Sequence, residues 1–161
     1  MDKTLTKLVA REVGVCQADW MLIRRNELDN RMESLLDAVE KKFTYPVFVK
    51  PAGTGSSVGV SKAGSRQALA DALLDAGAYD EKILVEEFIQ GKEIEVAVMG
   101  NENPMASVCG EIDSGAEFYD YDAKYITDTS RAYVPARISE NVEVAVRDAA
   151  VKVYSAIGCQ G

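Results

Sequence analysis

The stretch Lys50-Pro51-Ala52-Gly53-Thr54-Gly55-Ser56-Ser57-Val58-Gly59 decides how the rest of the 161-residue sequence is read. Three glycines let a backbone turn tightly enough to bring its N–H groups against an anion, two adjacent serines add hydroxyl donors, and Lys50 brings a positive charge. A flexible hairpin loop is the plainer alternative, but a mere turn has no use for a leading lysine and paired serines. Two familiar phosphate motifs fail on context. There is no Gly-x-x-x-x-Gly-Lys-Ser/Thr pattern, and Gly53-x-Gly55 is not followed by the helix that a dinucleotide fingerprint opens. The β-branched and aromatic run Val47-Phe48-Val49 predicts a buried strand that delivers Lys50 to the loop, and Val58 to Ser61 reads as extended again.

Outward from the loop, residues alternate between helical and strand patterns. Leu5, Leu8, Val9 and Val13 predict a short amphipathic helix over 2–13, stopped by Gly14. Trp20 to Ile23 reads as a strand. Leu28, Met32, Leu35, Leu36, Val39 and Phe43 form one helical stripe that ends before Pro46. A third helix is predicted over 65–76, with Ser65 as its cap and Gly77 as its stop. Strands follow over 83–88 and 93–99, joined by Ile89-Gln90-Gly91-Lys92 and expected to pair antiparallel, with a third over 106–112. A last helix from Ser139 carries Val142, Val146, Ala149, Val153 and Ile157 on one face. This order predicts an α/β (α+β) fold of antiparallel sheets flanked by helices, divided into 1–91 and 92–161.

Composition narrows the function classes. A net charge of -8 disfavours sequence-independent binding to nucleic acid, which draws its affinity from lysine and arginine on backbone phosphates. It does not disfavour a nucleotide, because charges are screened over about 8 Å at physiological salt and the nearest lysines dominate. No apolar run approaches the roughly 20 residues of a membrane span, and no secretory signal opens the chain, so a cytoplasmic setting is expected. Cys16, Cys109 and Cys159 are widely spaced and accompanied by no histidine, which argues against a disulfide framework or a zinc site.

Two further segments are candidates for chemistry. Glu86-Glu87-Phe88-Ile89, with Glu93 and Glu95 beyond it, sets carboxylates around a strand junction, where they could accept ribose hydroxyls while apolar groups hold a base. Solvated glutamates on an edge strand are the plain alternative. Residues 113–132 read as a long loop in which Phe118-Tyr119-Asp120-Tyr121-Asp122-Ala123-Lys124-Tyr125 alternates aromatics with acids. That pattern suits a lid over a site, and a surface hairpin is its alternative.

Taken together, Met1-Asp2-Lys3, Pro46 to Pro51, Gly55 to Gly59, Glu86 to Ile89, Gly91-Lys92-Glu93 and Phe118 to Tyr125 resemble the D-alanine-D-alanine ligase family of the ATP-grasp enzymes, through nearly the whole chain. The resemblance implies formation of the D-alanyl-D-alanine dipeptide for peptidoglycan, from ATP and two D-alanine molecules with Mg2+, through an acyl phosphate. It implies that Lys3, Lys50 and Lys124 hold ATP phosphates beside Ser56 and Ser57. Glu86, Glu87, Phe88 and Ile89 would then hold the adenine, and Glu93 the ribose. Ser56 and Tyr125 would help position the first D-alanine.

The sequence also departs from the family. Gly53-Thr54 stands where relatives often carry bulkier or basic side chains. The family's N-terminal domain has no counterpart here. Its Arg-x-Asp and Glu-x-Asn segments, which supply a transition-state arginine and the magnesium ligands, would fall after Gly161. An incomplete fragment with no turnover of its own and at best weak ATP affinity is therefore expected, and a homodimeric parent enzyme is one arrangement the resemblance allows. Another ATP-grasp carboxylate–amine ligase is the nearest rival reading. A non-catalytic nucleotide-binding module is the rival from a different class.

Overall fold

The computed structural model describes residues 2–113 and 131–161. They form two compact units, one of Met1–Leu5 with Ala18–Gln90 and one of Thr6–Gln17 with Gly91–Gly161. Helix α1 (Lys3–Glu12) contributes residues to both. The backbone reverses after it at Gly14, whose φ of +73° lies in the left-handed region that glycine enters freely.

The first unit is a four-stranded antiparallel sheet with two helices packed on it. Its strands β1 (Trp20–Arg24), β2 (Val47–Pro51), β3 (Ser61–Ala63) and β4 (Lys82–Glu87) lie in the order β1-β4-β2-β3. Helix α2 (Arg25–Lys42) turns Leu28, Leu35, Leu36 and Val39 inward, and helix α3 (Arg66–Tyr79) turns Leu69, Ala72, Leu73 and Ala76 inward. These residues meet Ile23, Val47, Val49, Ala63, Ile83 and Val85 of the sheet in one core. The helix starts are fixed locally. Glu27 accepts the Arg24 N–H at 3.1 Å at the head of α2, and the Ser65 hydroxyl accepts the Ala68 N–H at 3.3 Å at the head of α3.

Three expectations change here. Gly77 does not end α3; the helix runs on to Tyr79 with Asp80 as its C-cap. A Cβ at Gly77 would stand 3.1 Å from Leu28 Cδ1, so the glycine lets α2 and α3 approach closely. Val58 and Gly59 form a turn and the strand begins only at Ser61. Finally, β4 does not pair with the strand that follows it. Ile83, Leu84, Val85 and Glu86 are all buried, so β4 takes the centre of the sheet between β1 and β2, and residues 88–92 form an irregular link instead of a hairpin.

The second unit holds β5 (Glu93–Glu95), β8 (Gly110–Asp113) and β9 (Arg131–Tyr133) in an antiparallel sheet of order β5-β8-β9. A separate hairpin pairs β6 (Val98–Met99) with β7 (Met105–Ala106). The continuous strands expected over 93–99 and 106–112 are thus each broken into two pieces. Asp113 and Arg131, placed by the sequence at the ends of a long loop, face each other as paired strand residues. Helix α4 (Glu140–Ala156) follows, with the Arg147 guanidinium donating to the Ala106 carbonyl at 2.9 Å.

Candidate functional site

Strand register determines which side chains share a face. Trp20, Glu86, Phe48 and Lys62 stand opposite one another across β1, β4, β2 and β3, and Leu22, Leu84 and Lys50 form the next row. Successive residues of a strand point to opposite faces, so both rows lie on the side away from the helical core. Aromatic rings and ammonium groups converge there. Phe48 and Phe88 have ring centroids 6.0 Å apart, Lys62 Nζ sits 4.5 Å from the Phe88 centroid, and Lys50 Nζ sits 5.4 Å from that of Phe48. Lys50 also donates to the carboxylate of Glu86, which is buried.

At the end of β2 the chain enters the glycine and serine loop. Ser56 and Ser57 have φ of +50° and +60°, and Gly59 has +70°. Two successive residues in the left-handed region make a tight turn, and a turn can present neighbouring backbone N–H groups to an anion. The Val58 N–H donates to the Gly55 carbonyl at 3.0 Å and the Val60 N–H to that of Ser57 at 3.1 Å. Glycine is required at 59 on two counts, since a Cβ there would also approach Tyr79 Cδ2 to 2.6 Å and Pro51 Cγ to 2.8 Å.

Lys3 meets the loop from α1. Its ammonium donates to the carbonyls of Pro51 at 2.8 Å and Thr54 at 2.5 Å, and more weakly to that of Ala52 at 3.4 Å. Burial, followed by the nearby charge of Lys50, lowers its pKa. Asp2 precedes it, accepts from the Thr4 N–H at 2.9 Å and pairs with Lys82 Nζ at 2.6 Å. That lysine and the Thr4 contacts hold the Asp2 carboxyl well below the usual range.

The other predicted residues fall in different places. Glu87 points to the core side of the sheet, where its carboxylate accepts the Asp19 N–H at 2.7 Å; Ile89 is exposed. Glu93, on β5, belongs to the second unit and stands opposite Ile112 of β8. Lys124 and Tyr125 lie outside the described residues. Lys3, Lys50, Ser56, Ser57, Glu86, Glu87, Phe88 and Ile89 are therefore gathered in one unit.

Sequence reading passed over Phe48, Lys62 and Asp80. Strand alternation in Val47 to Pro51 was the available signal for Phe48, since it shares its face with Lys50. In the second unit it also missed Glu111, a buried carboxylate that accepts from the Arg137 N–H at 2.9 Å, from its guanidinium at 2.7 Å, and from Lys92 at 3.3 Å. Hydrogen bonding from Arg137 is the main cause that pulls the Glu111 pKa down to about 2. Among the described residues no group of three His, Cys, Asp or Glu side chains could hold a metal ion, and no helix is long and apolar enough to cross a membrane.

Antiparallel sheets flanked by helices, with a glycine- and serine-rich loop between two strands of the first, belong to the ATP-grasp fold. The VanG D-Ala:D-Ser ligase from Enterococcus faecalis superposes with a TM-score of 0.85 at 33% identity, over 99% of this chain and 46% of that one. The D-alanine-D-alanine ligase from Coxiella burnetii gives 0.72 at 30% identity, over 100% of this chain and 41% of that one. The sequence model of the family described as D-ala D-ala ligase C-terminus matches residues 9–161, and the chain belongs to that family. A D-alanine--D-alanine ligase of Acetivibrio thermocellus is 48% identical over the whole chain, which covers 43% of that protein. One of Pelodictyon phaeoclathratiforme is 47% identical, with 45% of it covered. The chain thus spans under half the length of these curated relatives.

Proposed function

We propose that this chain supplies the nucleotide-gripping part of an ATP-dependent D-alanine-D-alanine ligase acting in the cytoplasm on the way to peptidoglycan. The observation that carries the reading is the loop of residues 53–59, with left-handed Ser56 and Ser57, leaving a strand that presents Lys50. Amides of this loop and the Lys50 ammonium bind the phosphates of Mg-ATP, while Phe48, Phe88 and Lys62 offer an aromatic and cationic surface to the base. Charge-assisted hydrogen bonds of this kind contribute roughly 1.5 to 3 kcal/mol each, enough for a few to outweigh a screened acidic surface.

The chemistry needs a carboxylate and a triphosphate, both anionic, held within reach of one another. Cations and oriented amides on the transferring phosphoryl group reduce that repulsion and favour the charge distribution of the transition state. In this reading Ser56 bonds the first D-alanine as well as phosphate, and Lys124 and Tyr125 are proposed to contribute from the neighbouring segment. The Lys50–Glu86 pair is the resting arrangement, in which the carboxylate holds the ammonium in position until phosphate arrives.

A two-step measurement tests this. Mg-ATP added to the 161-residue chain is expected to shift the backbone amide resonances of Ser56 and Ser57, and Lys50→Ala is expected to weaken that response at least tenfold. Phosphate release from ATP by the whole ligase is expected to depend on D-alanine, with a second D-alanine preferred over D-serine as the attacking amine. Undisturbed Ser56 and Ser57 resonances at saturating nucleotide would refute the nucleotide site. Preference for D-serine would instead move the product assignment toward that of the Enterococcus relative.

A further inference from the structure

Asp80 is the C-cap of α3, and a negative charge at that end of a helix opposes the helix dipole. It needs donors from elsewhere, and it has them. Oδ1 accepts the Lys82 N–H at 3.0 Å, and Oδ2 accepts the Gly53 N–H at 2.5 Å across 27 residues of sequence. Burial pushes the Asp80 pKa up, but the backbone donors of Lys82, Gly53 and Glu81 outweigh it and the net shift is downward. A Cβ built on Gly53 would meet Asp80 Oδ2 at 2.8 Å and Asp80 Cγ at 3.8 Å, with no other neighbouring atom within 4 Å. The space a side chain would take at residue 53 is thus filled by this carboxylate. At the far end of the loop the preceding residue, Tyr79, fills the corresponding space at Gly59. The end of α3 touches the loop at its first glycine and at its last.

We infer that Asp80 is a positioning residue for the nucleotide: by holding the Gly53 N–H it fixes the entrance of the 53–59 loop, so that the amides around Ser56 and Ser57 meet phosphate already oriented. The inference rests on the nucleotide reading above. Preorganised donors lose less freedom on binding than donors that must first be ordered, so releasing the clamp weakens affinity without removing a phosphate ligand. It also explains why the sequence has glycine at 53, a site whose φ is outside the left-handed region and whose backbone alone would accept other residues.

Two substitutions break the contact from opposite sides. Asp80→Asn keeps the size of the side chain but offers one acceptor oxygen to two amides and aims its NH2 at the other. Gly53→Ala leaves Asp80 intact and drives a methyl group into its carboxylate. With Mg-ATP titrated into the 161-residue chain and followed at the Ser56 and Ser57 amides, each is expected to raise Kd about tenfold, the scale of one lost hydrogen bond. Exchange of the Gly53 amide with solvent is expected to speed up in Asp80→Asn. The double variant is expected to bind no more weakly than Asp80→Asn alone, because the two changes remove one interaction. Glu81→Gln, at an exposed neighbour paired with Arg25, is expected to leave Kd unchanged. If Asp80→Asn loses its dispersed amide spectrum, Gly53→Ala decides by itself. Unchanged Kd in the folded variants, or losses that simply add in the double variant, would overturn the positioning role while leaving the nucleotide site standing. No response to Mg-ATP in the unmodified chain would overturn both.

Discussion

Helices α3 and α4 are similar in length, at 14 and 17 residues, and each follows a serine, yet the two units use them differently. In α3, five residues are buried, and Leu69, Leu73 and Ala76 have no exposed surface at all. In α4 no residue is buried, and Val142 and Val144 remain about half exposed. Among the described residues of the second unit Glu111 is instead a buried carboxylate, held by Arg137 and Lys92, with the Arg137 guanidinium 3.6 Å from the Tyr133 ring centroid. Apolar burial holds the first unit together around the sheet that carries the loop, whereas an ion cluster ties the short strands of the second. The face proposed above for the nucleotide is thus carried by the unit with the larger apolar core, the kind of support that a site built from fixed backbone donors requires.

The contrast breaks most directly under cavity-forming substitutions. Leu73→Ala is expected to destabilise the first unit by about 2 to 5 kcal/mol, the usual range for a fully buried leucine. Trp20, the sole tryptophan, lies on β1 and reports that unit's unfolding by fluorescence. Val153→Ala on the half-buried face of α4 is expected to cost about 1 kcal/mol, because little apolar surface is lost there. Equal losses from the two substitutions would remove the distinction.

Acid sharpens the same contrast from the other side. The Glu111 pKa falls from 4.5 to about 2 in the folded chain, chiefly through its hydrogen bonds from Arg137. A carboxyl whose folded pKa is depressed stabilises fully above its unfolded pKa, and the contribution disappears as pH drops through the folded value. Between pH 4.5 and 2 the second unit is therefore expected to lose stability. Glu111→Gln is expected to lower its stability at neutral pH and to flatten the dependence in that window. The Ile112 and Tyr133 resonances followed through an acid titration provide the check, and an unaltered slope in Glu111→Gln would assign the acid sensitivity to other carboxyls.

Most of the first unit was legible because its signals are local. The stripe from Leu28 to Val39 is a helix whatever surrounds it, and Val47 to Val49 is a strand that can lead only into the glycine loop. What the sequence withheld is set by distant partners. Gly77 has the form of a helix stop, but its role depends on how near Leu28 comes. The segment 83–88 looks half of a hairpin, while its burial on both faces demands β1 and β2 as neighbours. Asp80 passes for a turn residue until Gly53 is found beside it. The carbonyls of Pro51, Ala52 and Thr54 around the Lys3 ammonium come from a segment about fifty residues away, which no local pattern near Lys3 indicates. In the second unit, Glu111 and Arg137 are 26 residues apart, with no periodicity linking them.

The smallest effect compares the two helix starts. Ser65 and Ser139 both precede a helix in extended conformation, so sequence and backbone alike suggest equal caps. Only Ser65 makes the side-chain bond, to the Ala68 N–H, and at 3.3 Å it is a long one; Ser139 makes none. Replacing a working serine cap by alanine costs about 0.5 to 2 kcal/mol, and a long bond belongs at the low end of that range. Ser65→Ala is expected to cost about 0.5 to 1 kcal/mol on that scale, and Ser139→Ala close to nothing, as read from urea midpoints of each unit. A comparable loss at Ser139 would mean that α4 gains from its serine in solution, and the second unit would then owe more to local helix formation than to the Glu111 cluster.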